Sequence, residues 1–284
     1  MAQKTTFTYS NLTHRVLAAL VGIPLMLVAI CCSVWSYFLL FLVIMVLGML
    51  EFYKLSRLQN AYPNQVGGIA CGIVLYTLAF LRLQMGIAEV YLYVLIPMIG
   101  YIYLERLYQY PPEAFPFISI ACTCLGVLYI SLPLTWLHLL AFPHNRYSYP
   151  MVLGLLLILW AQDTGAYLLG SCIGKHALFK RVSPKKSWEG SAGGAILALF
   201  VAYLLGWYLP IMSPGQWMGI ASVTVVSANY GDLMMSLFKR SVQVKDTGHI
   251  ILGHGGILDR FDGLLFVIPS VLCFLKIWAS LQSL

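Results

Sequence analysis

Apolar residues in this chain run in blocks about as long as a bilayer is thick. Segments approaching the 20 or so mostly apolar residues needed to cross a membrane as a helix recur near 16–33, 35–50, 65–81, 88–104, 116–134, 150–170, 191–210, 215–231 and 263–281. A chain written this way folds as an all-α, polytopic integral membrane protein with about nine transmembrane helices, because in lipid each span must satisfy its own backbone. Composition agrees: of 284 residues 60% are hydrophobic and 10% charged, against about 25% charged in a soluble domain. A large soluble domain has no room. The apolar stretch 135–142 is too short to cross and reads as a surface segment.

Lys and Arg set the expected orientation. Lys4 and Arg15 precede the first span, Lys54 and Arg57 follow the second, and Arg106 follows the fourth. Lys175, Lys180, Arg181, Lys185 and Lys186 follow the sixth; Lys239, Arg240, Lys245 and Arg260 follow the eighth. A cytoplasmic N-terminus puts all of these on one side, and only Arg82, Arg146 and Lys276 lie elsewhere. The polar start "MAQKTTFTYSNLTHR" leads into a long apolar pair with no cleavage site after a short core, so the first span is expected to be retained. The net charge of +7 suits anionic lipid or an anionic substrate; nucleic acid is not expected, since the bases flank apolar spans. The seven cysteines show no CxxC pair and read as small buried hydrophobes.

The acids are placed unevenly. All five aspartates lie in the second half, and four fall between 232 and 262. An acid near the membrane core is costly and faces a pathway, a metal or a partner base. Asp163, in "WAQDTGAYLLG", is such an acid, read as a site residue or as the partner of a base on another helix. In "GKHALFKRVSPKKSWEG" (174–190), five bases sit beside hydroxyls. Ser183 and Ser187 with Lys185 and Lys186 suit phosphate oxygens, and Glu189 suits either a helix start or the orientation of a base. On a helix, Asp232, Ser236, Lys239 and Arg240 would share one face. Glycines 248, 253, 255 and 256 would let backbone N–H groups approach an anion. Asp259 and Asp262, three apart on one helix, would point the same way, an arrangement suited to Mg²⁺ completed by substrate phosphates. His249 and His254 make a poor zinc pair; His254 reads better as a donor to phosphate or as a packing residue. Bases for phosphates, carboxylates for a hard cation and glycines for close approach together describe phosphoryl or nucleotidyl transfer at a membrane.

At these residues the chain resembles the bacterial phosphatidate cytidylyltransferases, also called CDP-diacylglycerol synthases. The resemblance is carried by "SLFKRSVQVKDTGHIILGHGGILDRFD", Ser236 to Asp262, with "QDTGAYLLG", "SPKKSWEGSAGG" and the "GD" at 231–232 upstream. It is close over roughly 160–265; the first half matches only as several spans. Leu252 stands where that family usually has a proline, which leaves the Gly253–Gly256 turn less constrained.

The resemblance implies an expected reaction, CTP + phosphatidate → CDP-diacylglycerol + pyrophosphate, with Mg²⁺ and room for a second, monovalent cation. It implies Asp232, Asp259 and Asp262 as metal ligands and Lys239, Arg240, Asp246 and Arg260 as catalytic residues. Asp246 is either a further ligand or the partner of Lys245 or Arg260. Asp163, Ser183, Lys186, Ser187, Ser236, Lys245, Gly253, His254, Gly255 and Gly256 are the implied substrate contacts. It also implies a homodimer in the bacterial inner (cytoplasmic) membrane with the site facing the cytoplasm, residues 1–149 as helical scaffold and 150–284 as the catalytic region. The rivals are a CTP-dependent polyprenol or lipid kinase and, in a different class, an ion-coupled transporter.

Overall fold

The computed structural model describes residues 20–59, 61–108, 115–248 and 255–282. Helices dominate: α1 (Leu20–Cys32), α2 (Val34–Ser56), α3 (Gln65–Met85), α4 (Leu95–Leu107), α5 (Pro116–Gly126), α6 (Leu132–Ala141), α7 (Tyr149–Ile173), α8 (Trp188–Tyr208), α9 (Pro214–Ser241) and α10 (Leu258–Gln282). Among the described residues, seven helical stretches are long and apolar enough to cross a membrane. The chain is an all-α, multi-pass membrane protein. Its described residues fall into two compact units. One unit comprises the described residues of Met1–Arg82, Ile87–Leu132 and Val242–Arg260; the other comprises those of Leu83–Gly86, Pro133–Ser241 and Phe261–Leu284.

The first unit starts with a break that the sequence locates to within a residue or two. Ser33 is extended between α1 and α2, and its side chain accepts from Trp35 N as the cap of α2. Tyr53 of α2 is the wedge of this unit. Its hydroxyl donates to Thr123 O at 2.9 Å, and its ring lies against Gly68 and Gly126, where added Cβ atoms would fall 2.2 and 2.4 Å from it. Only glycine leaves space for a ring that close.

The reading of 135–142 as a surface segment is corrected. These residues belong to α6, which continues α5 through a π turn at Val127–Ser131, and together Pro116–Ala141 make one 26-residue span. The π turn has a local cause. Pro133 has no N–H to give to the carbonyl four residues back, and its ring would crowd that turn. The helix widens there, so that Leu132 N reaches Val127 O. Leu134, Leu137 and Leu140 are buried.

In the second unit, α7 and α8 meet backbone to backbone. A Cβ on Gly165 would fall 2.5 Å from Gly193 O, one on Gly194 2.7 Å from Gln162 O, and one on Gly190 2.9 Å from Ala166 O. Small residues at these positions replace the hydrophobic driving force that lipid does not supply. Gly165→Ala should therefore cost about 1–3 kcal/mol by overpacking against a carbonyl that cannot swing aside. A lowered thermal midpoint in detergent would register it; an unchanged midpoint would refute this account of the contact.

The helix α9 is 28 residues long but is not among the seven apolar spans. Ser222, Thr224, Asn229, Asp232 and Ser236 dilute its hydropathy. Two of these satisfy themselves locally: Ser222 Oγ donates to Met218 O and Asn229 Nδ2 to Val225 O. Ser236 Oγ donates to Asp232 Oδ1, Asp232 pairs with Lys186, and Thr224 is buried in a helix that packs against α8 and α7. The basic loop before α8 folds into a two-stranded antiparallel hairpin, β1 (Ala177–Phe179) and β2 (Ser183–Ser187).

Candidate active site

Each compact unit gathers part of the polar signature. In the second unit, α9 and α10 cross at two glycines. A Cβ on Gly231 would fall 2.9 Å from Asp262 O and 3.2 Å from Gly263 Cα. A Cβ on Gly263 would touch Ala228 Cβ at 3.5 Å. Each glycine adjoins an aspartate, so the close crossing brings Asp232 and Asp262 into the same neighbourhood. Asp262 is 8% exposed, accepts from Gly263 N at 2.7 Å, and lies within electrostatic range of Asp232, Lys239 and Lys186. Lys186, from β2, forms an ion pair with Asp232 Oδ2. Ser236, one turn beyond Asp232, donates to Asp232 Oδ1 at 3.3 Å. Two carboxylates, two ammonium groups and a hydroxyl thus converge from β2, α9 and α10.

Ser187 caps α8, accepting from Gly190 N at 3.1 Å. Ser183 opens β2, paired with Phe179. Glu189 lies in the first turn of α8 and holds the turn before the hairpin: it accepts from the backbone N–H of Lys175 and His176 and pairs with His176 Nδ1 at 2.5 Å. Glu189 thus stands at the helix start, one of its two expected roles, and pairs with His176 besides. Asp163 stands at an exposed position on α7, and Arg240 is exposed near the end of α9.

In the first unit, the loop after α9 and the start of α10 are tied together by two acids. Asp259 Oδ2 accepts from Thr247 N at 2.8 Å and Gly256 N at 3.2 Å and lies 3.0 Å from Thr247 Oγ1, whose single proton it shares with Glu51. Glu51, from α2, accepts from Thr247 Oγ1, Ile257 N and Leu258 N, each at 2.9 Å. The glycines serve these carboxylates. Gly255 has φ +82°, a conformation that disfavours a side chain, and a Cβ on Gly256 would fall 2.0 Å from Thr247 Oγ1. Lys245, Asp246 and Arg260 are exposed on the same segments. Asp259 and Asp262 both stand on α10, three residues apart, as their spacing predicts. His249, Leu252, Gly253 and His254 lie outside the described residues.

The residue that sequence reasoning missed is Glu51. Placing the end of the second span at 50 leaves it as a loop acid beside Lys54. The helix instead continues to Ser56 and buries Glu51 to 4% exposure. The available signal was an acid directly adjoining an apolar run.

Fit to a divalent cation can be judged from the donors. Asp232 and Asp262 supply oxygen ligands side by side, and the Lys186 ammonium on Asp232 shows that a cationic group reaches that carboxylate. Among the described residues no three His, Cys, Asp or Glu groups converge to hold a metal. The pair therefore suits a hard cation that completes its coordination with substrate oxygens and water, rather than an all-protein cage.

Fold and site together define a multi-pass helical membrane protein with a partly buried acid–base cluster. The chain belongs to the cytidylyltransferase family, whose pattern matches residues 13–278. It is similar to the phosphatidate cytidylyltransferases of Staphylococcus aureus strain COL (44% identical over 114 residues, 40% of this chain and 44% of the relative) and Bacillus subtilis strain 168 (36% over 136 residues, 48% and 51%). The same holds for that of Staphylococcus epidermidis strain RP62A (37% over 158 residues, 55% and 58%). The matched regions thus span about half the length of these curated relatives.

Proposed function

We propose that the chain transfers the cytidylyl group of CTP to phosphatidate, giving CDP-diacylglycerol and pyrophosphate in phospholipid synthesis at the cytoplasmic face of a bacterial inner membrane. The observation that carries this reading is the Asp232–Asp262 pair, flanked by Lys186, Lys239 and Ser236, in a chain of the cytidylyltransferase family. A phosphatidate oxygen attacks the α-phosphorus of CTP, a new P–O bond forms, and the bond from that phosphorus to the bridging oxygen breaks as pyrophosphate leaves. A phosphomonoester is largely dianionic at neutral pH, with a second pKa of about 6, so the nucleophile needs no strong general base.

The obstacle is repulsion between two polyanions. Lys186 and Lys239 place positive charge beside the carboxylates, and the exposed Arg240 is suited to a further phosphate contact. Ser236 orients Asp232 through its hydroxyl. Asp232 and Asp262 would hold Mg²⁺, which when bound supplies Lewis-acid charge stabilisation to the phosphoryl oxygens. Asp259 would act chiefly through the loop that its Oδ2 gathers, while Lys245 on that loop and Arg260 on α10 would meet substrate phosphates, with Asp246 a further ligand or the partner of one of these bases.

Purified protein in mixed micelles should convert phosphatidate and α-labelled CTP to labelled CDP-diacylglycerol in a reaction that chelation of divalent cations abolishes. Transfer of label from γ-labelled CTP to lipid would instead make it a kinase. Ion flux in liposomes without CTP turnover would make it a transporter.

A further inference from the structure

Glu51 is set apart by its distance along the chain from everything it touches. It lies 196 to 207 residues from its three hydrogen-bond donors. A carboxylate at 4% exposure is costly unless hydrogen-bonded, and here both oxygens are engaged. Oε1 takes Ile257 N; Oε2 takes Leu258 N and Thr247 Oγ1. Ile257 and Leu258 are at the N-terminus of α10, where backbone donors lack helical partners and an anion is favoured. The third donor belongs to the loop that carries Lys245 and Asp246. One side chain from α2 thus fixes both where α10 begins and how the 245–248 segment lies against it.

The absence of a side chain at Gly256 keeps this arrangement possible, since a Cβ there would fall 2.3 Å from Glu51 Oε2. Thr247 is the hinge of the pair: its hydroxyl lies 2.9 Å from Glu51 Oε2 and 3.0 Å from Asp259 Oδ2. Moving Glu51 therefore moves Asp259's partner as well. The start of α10 in turn sets the position of Arg260, whose backbone N–H donates to Ile257 O.

We propose that Glu51 is a positioning residue for the transfer reaction: it anchors the signature loop and the first turn of α10 from a different helix, without itself touching substrate. The kinetic part of this proposal rests on the transferase reading; the structural part does not. Glu51→Gln replaces one oxygen with an NH₂ that meets N–H and O–H donors head-on. With full-length protein in micelles and α-labelled CTP, Glu51→Gln should lower kcat by about 10²-fold, the scale of a small misplacement of reacting groups. KM for CTP should change much less than kcat, because Glu51 itself touches no substrate and acts on the geometry of the reacting groups. Glu51→Asp, which keeps the charge, should recover part of kcat. Hydrogen exchange read on peptides covering 245–258 should accelerate in Glu51→Gln while peptides from α8 stay unchanged.

A Glu51→Gln enzyme with wild-type kcat, a rise in KM that accounts for the whole loss, or unchanged exchange at 245–258 would each overturn the proposal. If Glu51→Gln does not accumulate in membranes, Thr247→Val carries the same test. It removes one donor and leaves the carboxylate its two amides; kcat falls at constant KM if the proposal holds, and both constants stay at wild type if it does not. Wild-type protein that makes no CDP-diacylglycerol would sink the transferase reading, and the exchange measurement would still decide whether Glu51 holds the loop.

Discussion

Asp262→Asn should remove nearly all CDP-diacylglycerol formation while leaving the fold intact. The substitution keeps the shape of a side chain that is 8% exposed and keeps an oxygen to accept from Gly263 N. It removes one of the two negative charges proposed to hold the divalent cation. Such a cation contributes several kcal/mol to stabilising transition-state charge. At about 1.36 kcal/mol per tenfold in rate, losing it lowers kcat by about 10²–10⁴-fold. The check is turnover of α-labelled CTP across a Mg²⁺ titration, alongside the thermal midpoint. A rate within threefold of wild type would remove Asp262 from the site.

Gly256→Ala should be the most damaging single-methyl addition in the signature. Its Cβ would sit 2.0 Å from Thr247 Oγ1 and 2.3 Å from Glu51 Oε2, distances no real side chain adopts. Both neighbours are held by other hydrogen bonds, so relief requires the loop to open. Overpacking alone costs about 1–3 kcal/mol, and the freed Glu51 carboxylate adds a desolvation penalty of similar size. Gly100 is the contrast. It lies on α4 with nothing within 4 Å of the added atom, so Gly100→Ala should be neutral or stabilising by about 0.5–1 kcal/mol. Thermal denaturation of the two variants in the same detergent compares them directly; equal midpoints would mean that the close approach at Gly256 is not maintained in solution.

Much of the architecture was legible because membrane spans announce themselves locally. The break between α1 and α2 falls at Ser33, where two apolar runs meet around a good helix cap. Residues 135–142 were misread because they were taken as separate from the span ending near 134; the chain widens into a π turn at Val127–Ser131 and continues to Ala141. Length and composition could not reveal that. The polarity of α9 has the opposite lesson: 215–231 read as a span, while over its full 28 residues the helix is not apolar enough to stand among the seven. The hairpin at 177–187 was visible only as a basic, proline-containing loop, since its strands are too short to show an alternating pattern.

The candidate site was legible as an inventory and not as a geometry. Asp232, Ser236 and Lys239 could be grouped from helical spacing, and Asp259 with Asp262 likewise. What joins Asp232 to Asp262 is the crossing at Gly231 and Gly263, and no spacing rule connects positions thirty residues apart. Lys186 reaches Asp232 from a strand that had been read as loop. Glu51 was invisible for the same reason in stronger form: its partners lie about two hundred residues away.

Counted as fully ionised, Asp232, Asp262, Lys186 and Lys239 of the second unit carry formal charges that sum to zero. A bare divalent ion arriving among them would leave a surplus of two positive charges in a partly buried place, which is electrostatically costly. The same ion accompanied by a nucleotide's phosphates brings its own compensation. In the proposed transferase reading, electroneutrality would favour arrival of the ion together with the nucleotide, and the apparent affinity for the ion should rise with nucleotide concentration.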